Sequence, residues 1–421
     1  MTLSDIGSHP YSKLGLSNFD TNKDLARHRW FQFKEGFSAE LVRLAVADLN
    51  ARRPPAILDT FVGSGTSLVE AGRIGSMATG IEVNPFLSFA SRAKTAPSTK
   101  PSTTYSCLID ELANSGPREI RSPLEGQSTF TEGGDSTKWL FNRSVLRSFA
   151  AIQSRIRAQP RLRRPLELAL LAALLDCSNA KRDGKCLRYK RGWEDAKVSS
   201  TELRSRFRER AMLVIEDLQN PSFDHSKLKV ITGDCRTSLA NLPAAAYDLW
   251  VTSPPYLNSF DYSDVYRPEL FAAGFVSTND ELRKIRKKTL CSHVQVKREY
   301  TEDICSALLK PILDRIAGRQ LWNQHLPGMV RTYFADLALV CQKVHPLLRR
   351  GGKAWIVVST SAYAGVEIPV DLILADLASK SGWKLCGIYV LRELRAAGQY
   401  WSRLEKGSRP PLRESLLVLE R

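Results

Sequence analysis

The 421-residue sequence contains no Cys-x-x-Cys pair, no internal repeat, and no apolar run approaching the roughly 20 residues that span a bilayer. Its opening stretch, MTLSDIGSHPYSKLG, has no apolar signal core. Together these absences argue against membrane insertion and favour a reducing cytoplasm for the eight scattered cysteines, Cys107, Cys177, Cys186, Cys235, Cys291, Cys305, Cys341 and Cys386. Cys291 with His293 is the nearest approach to a metal motif. It lacks the remaining ligands of a zinc site, so both residues are read as structural and no metal is expected.

What is present is an ordinary globular composition, 43% hydrophobic and 25% charged, in a chain longer than a single core usually grows. One large domain with inserted material is therefore expected. The charge is less ordinary. A formal net charge of +17 favours a polyanionic partner through phosphate neutralisation and counterion release. It is also unevenly placed, since Lys138 to Arg210 holds 19 Lys or Arg against 7 Asp or Glu, a net of +12. Within that block the tract NAKRDGKCLRYKRGW interleaves cations with Tyr189 and Trp193, as a nucleic-acid surface does. Lys181, Arg182, Lys185, Arg188, Lys190 and Arg191 are the leading phosphate-contact candidates.

The pattern along the chain is α/β, interrupted. AILDTFVGSGTSLVEAGRIGSMATGIEVNPF reads as strand, glycine turn, helix, strand. From about Thr95 to Pro123 the Ser, Thr and Pro content predicts a linker or surface loop. Phe141, Val145, Phe149, Ile152 and Ile156 then recur at helical spacing, Leu166 to Asp176 is apolar nearly all round, and a charged helix is predicted from Thr201 to Leu218. Strands resume at LKVITGD and YDLWVTSPP. A basic helical segment follows between about Phe271 and Met329, then a helix ending at HPLLRRGG, a strand KAWIVVST, a helix from Pro369 to Ser381, and strands WKLCGIYVL and ESLLVLE. Roughly seven strands alternating with helices predict a doubly wound sheet.

Ligands of such sheets bind beyond the carboxyl ends of the strands, where three acids fall. In DTFVGSGT, Gly63 and Gly65 permit close backbone approach and the following helix offers free N–H groups from Thr66 onward. Asp59 at the strand end would repel a pyrophosphate but attract an amino-bearing ligand. The spacing also fails GxGxxG and lacks a phosphate-loop lysine, so a sulfonium amino acid fits better. Glu82, ahead of Asn84, stands where it can accept from both ribose hydroxyls of a nucleoside. Asp234 and Cys235 suit an adenine. In Thr252-Ser253-Pro254-Pro255-Tyr256 the prolines fix the backbone and present carbonyl acceptors, and the aromatic ring can stack on a planar base. Acceptors that bind both hydrogens of a conjugated amino group localise its lone pair for in-line attack on a methyl sulfonium.

These residues resemble the amino-methyltransferases of DNA, whose cofactor motif reads D-x-F-x-G-x-G and whose catalytic motif reads (D/N/S)-P-P-(Y/F). The resemblance covers Ala56 to Ala93 and Leu228 to Val265, more weakly the carboxyl end. Thr60 stands where the family often has Pro. It implies a seven-stranded Rossmann-like methyltransferase sheet with a mainly helical insertion, S-adenosylmethionine as cofactor and double-stranded DNA as partner. A cognate restriction endonuclease and a prokaryotic, nucleoid-associated location go with that expectation.

Carried over, Asp59, Phe61, Gly63, Gly65 and Thr66 line the cofactor site, Glu82 with Asn84 holds the ribose, and Asp234 with Cys235 the adenine. Ser253 and the Pro254 carbonyl accept from the target amino group, followed by Pro255 and the stacking Tyr256. The stretch Trp30 to Ser38 looks like the family's segment beside the cofactor methionine. S-P-P-Y members are predominantly cytosine-N4 enzymes, which makes that base the first expectation. Adenine N6, an RNA amino group and a catalytically silent DNA-binding subunit remain alternatives. Residues 1–98 and 226–421 are assigned to the catalytic domain, 99–225 to a basic helical insertion, and 271–329 to a smaller one. Either insertion could read DNA.

Overall fold

A computed structural model describes residues 14–114, 118–127, 129–132, 136–183, 186–303, 305–394 and 412–421. Seven strands form one sheet: β1 (Ile57–Asp59), β2 (Ala78–Glu82), β3 (Leu228–Thr232), β4 (Tyr247–Thr252), β5 (Leu348–Ser359), β6 (Lys384–Leu394) and β7 (Leu412–Glu420). Their spatial order is β6-β7-β5-β4-β1-β2-β3. Every neighbouring pair is parallel except those made by β7, which runs antiparallel to both β5 and β6. This is the α/β, Rossmann-like methyltransferase sheet that the sequence predicts, with the chain order reversing between β1 and β4.

Strand periodicity divides the core. Ile57, Leu249, Val251, Trp355 and Val357 face one layer, which contains Leu41, Val42 and Leu68 from the helices Ala39–Asp48 and Thr66–Arg73. Leu58, Trp250, Ile356 and Val358 face the other, built on the helices Leu326–Val344 and Val370–Lys380. Both faces being covered explains why the central strands are apolar runs and not alternating ones.

The material between β2 and β3 forms the helices Thr104–Asn114, Arg143–Arg157, Arg163–Asp176 and Ser200–Leu218, with a hairpin of Ala180–Asp183 and Cys186–Tyr189. Phe141, Val145, Phe149, Ile152 and Ile156 are all buried, as their spacing predicts. The loop expected over Thr95 to Pro123 is corrected by the first of these helices. Its Ile109, Leu112 and Ala113 are buried in the same core as Leu203, Phe207 and Ala211 of Ser200–Leu218. Flanking Ser, Thr and Pro masked a short apolar face. The basic tract around Lys181 is the hairpin, an element its composition did not reveal. Among the described residues no helix is long and apolar enough to cross a membrane.

A buried carboxylate anchors the insertion to the N-terminal segment. Asp217 accepts from the Arg27 backbone N–H (2.7 Å), the Trp30 indole N–H (2.7 Å) and the Arg29 guanidinium (2.7 and 3.2 Å). It is 5% exposed, so an alanine there strands a buried indole N–H and a backbone amide. Asp217→Ala is expected to cost about 3 kcal/mol. Urea unfolding checks this through a lowered midpoint at unchanged slope.

Candidate active site

β1 ends at Asp59, and the chain turns through Thr60–Ser64 into the helix that begins at Thr66. Gly65 caps that helix at φ +95°, and Gly63 has φ +52°. A Cβ on Gly63 would lie 2.6 Å from the Phe33 ring, so glycine is required by conformation and by space. Asp59 lies beneath the turn. One oxygen accepts from the Phe61 N–H (3.0 Å) and the Thr252 hydroxyl (2.7 Å), the other from the Ser67 hydroxyl (2.6 Å). Burial pushes its carboxyl up to about 6, against those bonds.

Glu82, at the end of β2, accepts from the Gly63 N–H at one oxygen (2.9 Å) and from the Asn84 N–H at the other (2.8 Å). The Val83 N–H also bonds this carboxylate. Burial, with Asp59 nearby, pushes this carboxyl up to about 7. Asn84 caps the helix Pro85–Lys94 by accepting from the Phe86 and Leu87 N–H groups, and its buried Nδ2 has no partner among the described residues. Asp234 caps the short helix after β3 and is held by Arg236 (2.7 Å), which also reaches Asp336 (2.7 Å). Cys235 is buried beside it, and burial pushes its thiol upward.

Most of these groups and the catalytic-turn candidates wall one cavity of about 1040 Å³, its open mouth included. Its lining includes Phe61, Gly63, Thr66, Glu82, Asn84, Asp234 and Cys235, together with Ser253, Pro254, Pro255 and Tyr256. Behind the turn, Tyr333 donates to the Pro255 carbonyl (2.9 Å). Phe33, Glu35, Gly36 and Phe37 form a further wall, and Tyr266 donates to Glu35 (2.6 Å).

Two expected cofactor-lining residues stand behind the wall and not on it. Asp59 has turned its carboxylate to the turn's own donors, and Gly65 packs against Ser91. The wall made by Ser263, Ile285, Lys288, Thr289, Leu290, Ser292 and His293 was missed by sequence reasoning. Its irregular stretch carries no periodicity, and the only flag in it was the pair Cys291 and His293. Burial pushes His293 down to about 4, so its imidazole is neutral at pH 7.

The phosphate-contact candidates are dispersed. Lys181 is exposed and Arg191 lies at the surface. Arg182 is turned inward, ion-paired with Glu269 and with its guanidinium 4.3 Å over the Tyr266 ring, so it is a packing residue. Arg188 pairs with Asp183 (2.7 Å), and Lys190 donates to the Asp176 carbonyl (3.2 Å). Lys185 lies outside the described residues.

A nucleoside sulfonium fits this cavity. Glu82 presents a buried carboxylate at the end of β2 as an acceptor for ribose hydroxyls, and Asn84 holds an unspent buried donor. No family model matches the chain. It is similar to the Type II methyltransferase M.AvaI of Nostoc sp., 25% identical over 406 residues that cover 89% of this chain and 83% of that protein. It is also similar to the Type II methyltransferase M.BsoBI of Geobacillus stearothermophilus, 24% identical over 456 aligned residues, 96% and 88% of the two chains. Among solved structures, a geranyl diphosphate methyltransferase in complex with GPP and sinefungin overlaps 100% of this chain and 91% of its own at 9% identity and TM-score 0.33. An arsenic(III) S-adenosylmethionine methyltransferase from Chlamydomonas reinhardtii overlaps 90% and 73% at 10% identity and TM-score 0.30. The cofactor to which the relatives and the fold point is S-adenosylmethionine.

Glu82 makes stability depend on pH. Its folded value of about 7 exceeds the unfolded value of about 4.3, so the native state binds the extra proton between those limits. Stability of the free protein therefore falls as pH rises from about 4.3 to about 7. Asp59 adds to the same slope. Glu82→Gln should flatten the profile of urea midpoint against pH and weaken S-adenosylmethionine binding at least ~10-fold by calorimetry, because an amide turns a donor toward one backbone N–H.

Proposed function

We propose that this chain is an S-adenosylmethionine-dependent DNA methyltransferase that modifies the exocyclic amino group of a flipped base, with cytosine N4 the target. The observation that carries the reading is that Ser253-Pro254-Pro255-Tyr256 and the Gly63–Glu82 cradle open on one cavity, joined underneath by the Thr252–Asp59 hydrogen bond. Similarity to two proteins named Type II methyltransferases supports it.

When bound, the cofactor supplies an electrophilic methyl group on a sulfonium. Glu82 holds the ribose hydroxyls, Asp234 and Cys235 flank the adenine, and Phe33 to Phe37 close the side beside the methionine part. Ser253 Oγ and the Pro254 carbonyl accept the two amino hydrogens of the target, which draws the nitrogen lone pair out of conjugation and toward the methyl. Tyr256 stacks on the base. Tyr333 restrains the turn from behind through the Pro255 carbonyl, so the acceptors need little reorganisation. Extruding a base from a duplex costs a few kcal/mol, offset by contacts from the insertion at 99–225 and the segment at 271–329. These two are the DNA-recognition surfaces in this reading. Lys288, at the cavity mouth, puts a cation beside the entering nucleotide's phosphates.

Nucleoside mass spectrometry of DNA incubated with protein and S-adenosylmethionine tests this. N4-methylcytosine is expected, and Ser253→Ala should lower kcat about 10²-fold while leaving cofactor affinity unchanged, since it removes an acceptor used in the transition state. N6-methyladenine would keep the mechanism and change the base. Methylation confined to RNA, or none despite cofactor binding, would overturn the DNA reading.

A further inference from the structure

A second concavity, of about 1780 Å³ with its open mouth included, lies away from the first cavity along the edge strand β3. Its cations come from separate elements. Arg92 is on the helix Pro85–Lys94, Arg157 ends the helix Arg143–Arg157, Arg161 is on the loop that follows, Arg163 and Arg164 open the next helix, and Lys229 is on β3. The single acid in the lining, Glu167, is buried and held by Gln153 (3.0 Å) and Arg163 (3.7 Å). Arg157, Arg161 and Arg164 are exposed, with no ion pair among the described residues. The helix Arg163–Asp176 starts without a side-chain cap and with no acid in its first turn, so its positive end adds to the field. Arg92 is held below its usual value first by burial and then by the charge of Arg164. Like charges that converge with a single buried counter-charge among them are stabilised by an external anion.

We propose that this cleft binds the phosphodiester backbone of duplex DNA beside the target site, an inference that rests on the DNA reading above. The concavity is too large for one phosphate, and its cations come from five separate stretches of chain, so that it can meet several phosphates at once. The helix Pro85–Lys94 links the two sites, with Leu87 on the cofactor cavity and Arg92 in the cleft. Leu87 and Arg92 are five residues apart, about 7.5 Å at 1.5 Å per residue, or about two phosphates at 3.4 Å spacing. The planar forks of the arginines match phosphate oxygens, and Phe275, against Phe89 at 5.7 Å, gives the rim an apolar surface for the sugars.

The test is fluorescence anisotropy of a labelled 30-base-pair DNA duplex over a salt series, with wild type, Arg161→Ala/Arg164→Ala and Arg161→Lys/Arg164→Lys. None of these residues touches the cofactor cavity, so S-adenosylmethionine affinity should be unchanged and serves to show that the variants are folded. The alanine pair should make the slope of log K against log salt shallower by about 1.8, ~0.9 per phosphate contact, and the lysine pair should keep most of the slope. An alanine pair with the wild-type slope, or tighter binding of the matching RNA duplex, overturns the cleft assignment. Should the alanine pair lose cofactor binding, Arg161→Glu on the exposed loop decides, with an unchanged slope counting against the proposal. Wild-type protein that fails to bind the duplex at any salt would instead overturn the DNA reading itself, and this inference with it.

Discussion

A buried carboxylate at the junction of two strands organises the rest of the site. Asp59 sits 1% exposed where β1 and β4 end side by side, and it receives hydrogen bonds from Phe61, Ser67 and Thr252. Those donors belong to the glycine turn, the helix after it and the strand that leads into Ser253. Desolvating an acid at this depth is costly, and the cost is offset only while all three donors stay in place. The turn of one half-site therefore cannot move without the other. Thr60 repeats the tie in neutral form, bonding the Trp250 indole and approaching Thr252. In the proposed reaction this bridge holds the two half-sites in fixed register, a positioning effect on which a direct transfer depends.

The insertion is bound into this arrangement and does not hang from it. Asp217 fixes the segment Arg27–Trp30, from which the chain passes directly to the cavity wall at Phe33–Phe37. On the other side Arg182 of the hairpin lies over Tyr266, whose hydroxyl is bonded to Glu35 of the same wall. Phe31 and Phe86 complete the aromatic packing around Tyr266. The hairpin is thus two contacts from the cavity wall.

The sequence was legible where local rules dominate. Strand patterns, helical spacing and the turn chemistry of Gly63 and Pro254–Pro255 are properties of short windows, and they located the sheet and most of the cavity wall. Direction is another matter. Whether Asp59 points into the cavity or beneath it depends on Thr252, 193 residues away, and whether Arg182 meets solvent depends on Glu269. The wall at Thr289–His293 gave no periodic signal because it is an irregular segment, and its place on the cavity follows from the tertiary position of the stretch after the helix Asn279–Lys288. The helix Thr104–Asn114 was hidden for a related reason, since its buried face is only three residues wide.

Net charge misleads in the same way. Many cations of the +12 block are consumed internally, with Arg147 on Glu125, Arg208 on Asp110 and Arg210 on Asp176, in addition to Arg182 and Arg188. Such pairs contribute little to stability at an exposed surface, but each removes a positive charge from the field a polyanion would meet. The richest tract in the sequence, around Lys181, is therefore electrostatically diluted once folded. The unopposed cations lie instead where separate elements converge, a pattern that exists only in three dimensions. Charge is counted along the chain but felt across the fold.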